Sequence, residues 1–149
     1  MERTGHRKKA IVFFLYCLIM LFLLFARMPN ERGLPFPEYL RTHLNLVPFR
    51  TIRRFSRLLV PPVRPYLVKI ALHNLLGNVL LFIPLGYFLP ALFSKLRGFF
   101  LTLLAVCVTV CCVEILQVLF IVGTCDIDDL ILNLLGAAVG YGVYRITEK

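Results

Sequence analysis

Glu114 and Gln117 stand three residues apart inside a long apolar run, so on a helix they are neighbours on one face. An ionisable residue in such a run is costly to bury and marks a functional candidate. Further on, Asp126, Asp128 and Asp129 crowd three carboxylates together, and Asn133 follows one helical turn after Asp129. Asn74 and Asn78, four residues apart, share a face of another apolar run. Two kinds of chemistry suit these groups. Glu114 would serve as a general acid or base, and the three aspartates offer hard oxygen ligands to a divalent cation. Their spacing matches no EF-hand and no histidine stands near, so no metal is expected; were one held, Asp126, Asp128 and Asp129 would be its ligands. Nothing resembles a Ser-His-Asp set, a G-x-S-x-G elbow or a P-loop, and His6, His43 and His73 lie in unrelated contexts.

The elements that position these residues follow from the hydropathy. The chain of 149 residues is 59% hydrophobic, with a mean hydropathy of +0.81, and its apolar residues come in long runs. A spanning helix needs roughly 20 apolar residues, because the hydrocarbon layer is ~30 Å thick and each residue rises ~1.5 Å. Four stretches meet that length: 10–26, 68–93, 98–122 and 127–144. The last reaches it only if its helix starts near Asp126. The expected fold is therefore an all-α membrane protein of four transmembrane helices, one domain over residues 1–149. The basic tail (Arg3, Arg7, Lys8, Lys9) before the first span resembles a signal peptide. The apolar run is too long for one, however, and no small-residue cleavage site follows, so an uncleaved anchor is expected. Cys17, Cys107, Cys111, Cys112 and Cys125 form no C-x-x-C pair and read as small packing residues.

Four spans put both termini on one side, with Lys95, Arg97 and Arg145, and the positive-inside rule makes that side cytoplasmic. The basic loop 27–67 then falls outside, although it carries Arg27, Arg32, Arg41, Arg50, Arg53, Arg54, Arg57 and Arg64. A helix wheel suggests how both hold. Ile52, Phe55, Leu58 and Leu59 fall on one arc, Arg50, Arg53, Arg54 and Arg57 on the opposite one, and Pro61 and Pro62 stop the helix. This is a short amphipathic helix expected to lie in the membrane interface in the first extracellular loop. Its arginines either anchor to anionic lipid headgroups or form a phosphate-reading surface, since guanidinium forks pair bidentately with phosphate.

Within the spans, Asn74, Asn78, Glu114, Gln117, Asp129 and Asn133 suggest a polar seam running inward from the turn at Asp126, Asp128 and Asp129. Pro84 is expected to kink its span and free a backbone carbonyl. Packing accounts for part of this pattern. Carboxylates favour a helix N-terminus, and Gly136 and Gly140 have the small-xxx-small spacing of close helix contacts. Packing does not call for an ionisable group at Glu114, expected about eight residues (~12 Å) inside its span.

Several segments together resemble the VanZ-like family: NLVPF at 45–49, NLLGNVLLFIPLGYFLP at 74–90, EILQ at 114–117, DIDDLILNLLG at 126–136 and GY at 140–141. The matching positions include Asn78, Pro84, Gly86, Glu114, Gln117, Asp126, Asp128, Asp129, Asn133 and Gly136. The resemblance implies a small multi-pass protein of the bacterial plasma membrane. The family's founding member is associated with low-level resistance to teicoplanin, a lipoglycopeptide. The resemblance supplies neither an established reaction nor a cofactor. Two readings of function follow. One is a non-catalytic envelope protein that alters how lipoglycopeptides or lipid-linked phosphates meet the membrane. The other is an intramembrane enzyme acting on a lipid-linked or phosphorylated envelope precursor, with Glu114 as its acid or base. A transporter is opposed by four spans without an inverted repeat, and the expected partners are membrane lipids rather than nucleic acid.

Overall fold

The computed structural model describes residues 2–26, 35–61 and 64–148; of the loop arginines and prolines named above, Arg27, Arg32 and Pro62 lie outside them. The chain runs α1 (Glu2–Phe25), α2 (Phe36–His43), β1 (Leu44–Asn45), α3 (Arg50–Arg57), α4 (Pro65–Leu92), α5 (Phe99–Leu119), β2 (Cys125–Asp126) and α6 (Ile127–Thr147), with a 3-10 turn at Ser94–Leu96 between α4 and α5. Among the described residues four helices are long and apolar enough to cross a membrane: α1 from Gly5, α4, α5 and α6. The fold class is the one expected from hydropathy. At about 42 Å, α4 is longer than a bilayer core is thick, so it tilts or extends beyond it.

Each apolar helix turns a fraction of its side chains inward. Phe82, Leu85, Val106, Val110, Ala137 and Met20 make the core. Ile11, Phe14, Leu18 and Phe22 of α1 and Leu104, Val108 and Ile115 of α5 are exposed, as suits helices whose solvent is lipid. The closest approach is between α4 and α6. A Cβ on Gly136 would overlap the Val79 carbonyl, one on Gly140 the Ile83 carbonyl, and one on Gly86 the backbone of Ala137. The small residues at 136 and 140 thus serve the packing role their spacing indicated, and Gly86 supplies the reciprocal notch.

The two ends of the bundle are tied differently. At one end Lys9 pairs with Glu148 at 2.5 Å, and the Tyr87 hydroxyl donates to the same carboxylate at 2.8 Å. Hydrogen bonds from Lys9 and then Tyr87 hold the Glu148 carboxyl below its usual range. The first turns of α1 and the end of α6 therefore sit at one end, as four passes require. Tyr141 closes that end further by donating to the Arg97 carbonyl at 2.9 Å. The other end carries the loop elements α2, β1 and α3.

Two expectations need correcting here. The third span ends at Leu119, not 122, because Ile121 turns left-handed (φ 55°). Val122 N–H then donates back to the Gln117 carbonyl at 2.9 Å and Ile121 N–H to that of Val118 at 3.1 Å. This is a Schellman closure made without the usual glycine. Glu114 consequently lies five residues from its helix end, ~8 Å rather than ~12 Å. The first helix begins at Glu2 and takes in the basic tail, since nothing breaks the helix before the apolar run. In α4 the helix continues through Pro84, and the carbonyl freed there, as expected, is that of Leu80. The Tyr16 hydroxyl of α1 donates to the Leu81 carbonyl at 2.7 Å, next to the Leu80 carbonyl that the proline leaves without its amide.

Candidate functional site

The carboxylates at the head of α6 have divided roles. Asp126 is the N-cap, and its Oδ1 accepts the Asp128 amide at 2.9 Å. The same oxygen takes a bond from Asn45 Nδ2 at 3.0 Å, and Oδ2 takes one from the Thr51 hydroxyl. Asp128 is fully buried (0% exposed). Its Oδ1 accepts the Phe49 amide, and its Oδ2 accepts the amides of Thr51 and Ile52, the latter at 3.0 Å. Those are the first free N–H groups of α3, which the sequence of α3 itself leaves without a side-chain cap. A carboxylate from α6 therefore caps the arginine helix, and negative charge there also suits the helix dipole.

This clamp fixes the loop. Leu44 and Asn45 pair in parallel with Cys125 and Asp126, which lays the NLVPF segment against the start of α6. Phe49 turns left-handed (φ 63°, ψ 9°) to enter α3, a conformation costing an aromatic residue on the order of 1 kcal/mol. The Asp128 oxygen on its amide holds it there. Tyr39 of α2 is buried and donates to the Gly123 carbonyl, so the turn before β2 is held from above as well. Cys125, half-buried beside these groups, has its thiol pushed up by burial and then by the Glu114 carboxylate, which fits a packing residue.

On α3 the side chains divide as the wheel indicated, except at Leu59. Arg50, Arg53, Arg54 and Arg57 are exposed, Ile52, Phe55 and Leu58 are half-buried, and Leu59 is exposed. The apolar face packs on α4 and α6, so part of it is covered by protein.

Beneath the clamp lies a cavity of about 190 Å³ among α1, α4, α5 and α6. Glu114, Gln117, Asn78, Asp129 and Asn133 all line it, together with His73, Gly77, Gly123 and Thr124, which sequence reading did not single out. The polar seam is thus a chamber. Glu114 is 7% exposed, and its Oε2 accepts the Asp126 amide at 3.2 Å, tying the chamber to the clamp. Asn78 Nδ2 donates to Asp129 Oδ1 at 2.5 Å, bridging α4 to α6. Gln117 Nε2 donates to the Leu24 carbonyl at 2.8 Å, holding the end of α1. Asn133 is 4% exposed, and its Oδ1 meets no partner among the described residues. Asn74 does not join the others: it sits half-buried one turn nearer the loop and lines no part of the cavity.

As cation ligands, Asp126, Asp128 and Asp129 are not brought together. Asp126 and Asp128 turn all four oxygens to Asn45, Phe49, Thr51, Ile52 and the Asp128 amide, whereas Asp129 faces Asn78 in the cavity below. Among the described residues no cluster of three or more metal-ligating side chains forms.

The family model described as VanZ/LLP1 matches residues 13–148. "Protein VanZ" of Enterococcus faecium is 30% identical over 112 residues, which cover 75% of this chain and 58% of that protein. The chain thus spans less than two thirds of that relative's length. No solved structure matches it.

Proposed function

The chain belongs to the VanZ-like family, and on that premise we propose that it is a non-catalytic multi-pass membrane protein that changes how lipoglycopeptides of the teicoplanin kind meet the cell envelope. The observation that carries this reading is the arginine face of α3: four guanidinium groups, all exposed, on a helix anchored by the buried Asp128. An arginine surface held at a fixed height offers phosphate recognition with geometry. Guanidinium pairs bidentately with phosphate, whereas an ammonium acts as a point charge. Lipid headgroups and lipid-linked envelope precursors both carry such phosphates.

The test is teicoplanin and vancomycin susceptibility in a sensitive Gram-positive host at matched membrane levels. Wild type is expected to protect against teicoplanin. The triple replacement Arg53→Lys, Arg54→Lys, Arg57→Lys keeps every charge and should weaken protection and drug exclusion about fivefold, the effect of losing bidentate geometry. Full activity of the triple variant would reduce the arginines to lipid anchors.

A second reading is favoured by one observation, the carboxyl of Glu114 on the wall of a cavity. There it would act as general acid or base on a lipid-linked or phosphorylated precursor. Glu114→Gln separates the two. Glutamine keeps the acceptor for the Asp126 amide, so the fold should change by less than about 1 kcal/mol. Under the first reading protection survives within twofold; loss of protection at normal membrane levels would instead establish the carboxyl as chemically required.

A further inference from the structure

The cavity below the clamp shares part of its wall with a second feature. His73 and Gly77 line the cavity, and they also line a shallow groove of about 520 Å³ on the outer face of α4, which runs from Pro65 past Lys69 and Leu72 to Leu76 and Leu80. A polar chamber therefore adjoins an apolar groove on the outer side of one helix. Water-soluble molecules have no use for such a groove; an acyl chain does.

The chamber's own polarity selects the head. The amide N–H groups of Asn78 and Gln117 are turned to Asp129 and the Leu24 carbonyl. Two acceptors stand in the walls: the Glu114 carboxyl and the orphaned, buried Oδ1 of Asn133. A buried acceptor without a donor is costly, so the fitting head carries N–H or O–H groups and no negative charge at its tip. Lys69, exposed in the groove, lies one helical turn outward from His73, about 6 Å along the axis. It sets a cation on the groove side of the chamber, available to a phosphate joined to that tip. We propose that the cavity is the head-group site of an aminophospholipid. Its ammonium donates to Asn133 and Glu114, its phosphate meets Lys69, and one acyl chain lies along Leu72, Leu76 and Leu80.

The experiment uses the full chain in detergent micelles and counts bound lipid by native mass spectrometry. The probes are dioleoyl phosphatidylethanolamine, phosphatidylcholine and phosphatidylglycerol. Choline matches ethanolamine in charge but has methyl groups where the N–H donors were. Phosphatidylethanolamine is expected to bind at least tenfold more tightly than phosphatidylcholine. Gly77→Leu fills space between chamber and groove, starting where a Cβ meets nothing within 4 Å, and should weaken ethanolamine-lipid binding about tenfold. Asn133→Leu should do the same. Equal binding of ethanolamine and choline lipids, or no effect of Gly77→Leu, overturns the site. Phosphatidylglycerol binding as tightly as phosphatidylethanolamine overturns the ammonium assignment. The Arg53→Gln, Arg54→Gln, Arg57→Gln variant should keep the ethanolamine preference, so the site stands or falls separately from the arginine surface.

Discussion

Replacing Asp128 with alanine should raise the rate of tryptic cleavage after Arg53, Arg54 and Arg57 about a hundredfold and abolish lipoglycopeptide protection while leaving the four spans inserted. Three amides at the entry of α3, those of Phe49, Thr51 and Ile52, donate to this one carboxylate. Ordinary cap substitutions cost ~0.5–2 kcal/mol. Here one side chain serves three donors, its bonds are charge-assisted, and it also holds Phe49 in a left-handed conformation, so a loss on the order of 3 kcal/mol is expected. That energy corresponds to the hundredfold change in the open population, because 1.4 kcal/mol is about tenfold, and trypsin samples the open form when opening and closing are fast.

Asp128→Asn sharpens the test. Asparagine has one acceptor oxygen, which can serve Thr51 and Ile52, but it turns an amide group toward the Phe49 N–H. Cleavage should rise by an intermediate factor, about tenfold. Measured against wild type, cleavage in Asp128→Ala that stays within threefold would show that the arginine helix is held by its apolar face alone. The clamp would then have no part in presenting the arginines.

The alternation of apolar and polar runs made the four spans legible, and the 3.6-residue period made the two faces of α3 legible before any coordinates. Both signals are local, written in consecutive residues. The convergence of Asn78, Glu114, Gln117, Asp129 and Asn133 was also readable, because polar residues buried in lipid must find one another. What stayed hidden depends on long-range pairing. Asn45, Thr51 and the Phe49 amide find their partners 75 or more residues away, and nothing in the loop's own pattern names those partners. The NLVPF segment could be recognised as a motif, but its role as the strand and cap that seat α3 could not. Helix α2 was missed for a similar reason: Phe36–His43 is short, opens on prolines, and is fixed by Tyr39 reaching Gly123. The end of α5 was misplaced because its left-handed residue is isoleucine, and the usual glycine signal is absent. Asn74 shows the converse failure: helical spacing from Asn78 placed it on the same face, yet at that level of α4 it is His73, not Asn74, that lines the cavity.

Substitution of Gly136 by alanine should lower the melting temperature in detergent by roughly 5–10 °C, whereas the same substitution at Gly142 should leave it unchanged or raise it slightly. Both glycines lie on α6, so helix propensity favours alanine equally at each, by up to about 1 kcal/mol. They differ in what the new methyl meets. At Gly142 nothing lies within 4 Å, while at Gly136 the methyl would overlap the carbonyl of Val79 on α4. That neighbour is backbone in the middle of a long helix and cannot turn away as a side chain would, so α4 and α6 must move apart. Overpacking of this kind costs ~1–3 kcal/mol, and here it also loosens the closest helix contact in a medium where apolar burial between spans supplies little. For a chain of this size ~2 kcal/mol corresponds to the expected drop. The displacement also reaches the site: Val79 follows Asn78 in sequence, and Asn78 is bonded across the same interface to Asp129. Gly136→Ala should therefore weaken ethanolamine-lipid binding along with stability, and Gly140→Ala should behave alike because its methyl would meet the Ile83 carbonyl. Equal melting temperatures for the Gly136 and Gly142 variants would mean that α4 and α6 do not touch backbone to backbone, and the chamber they wall would need a different shape.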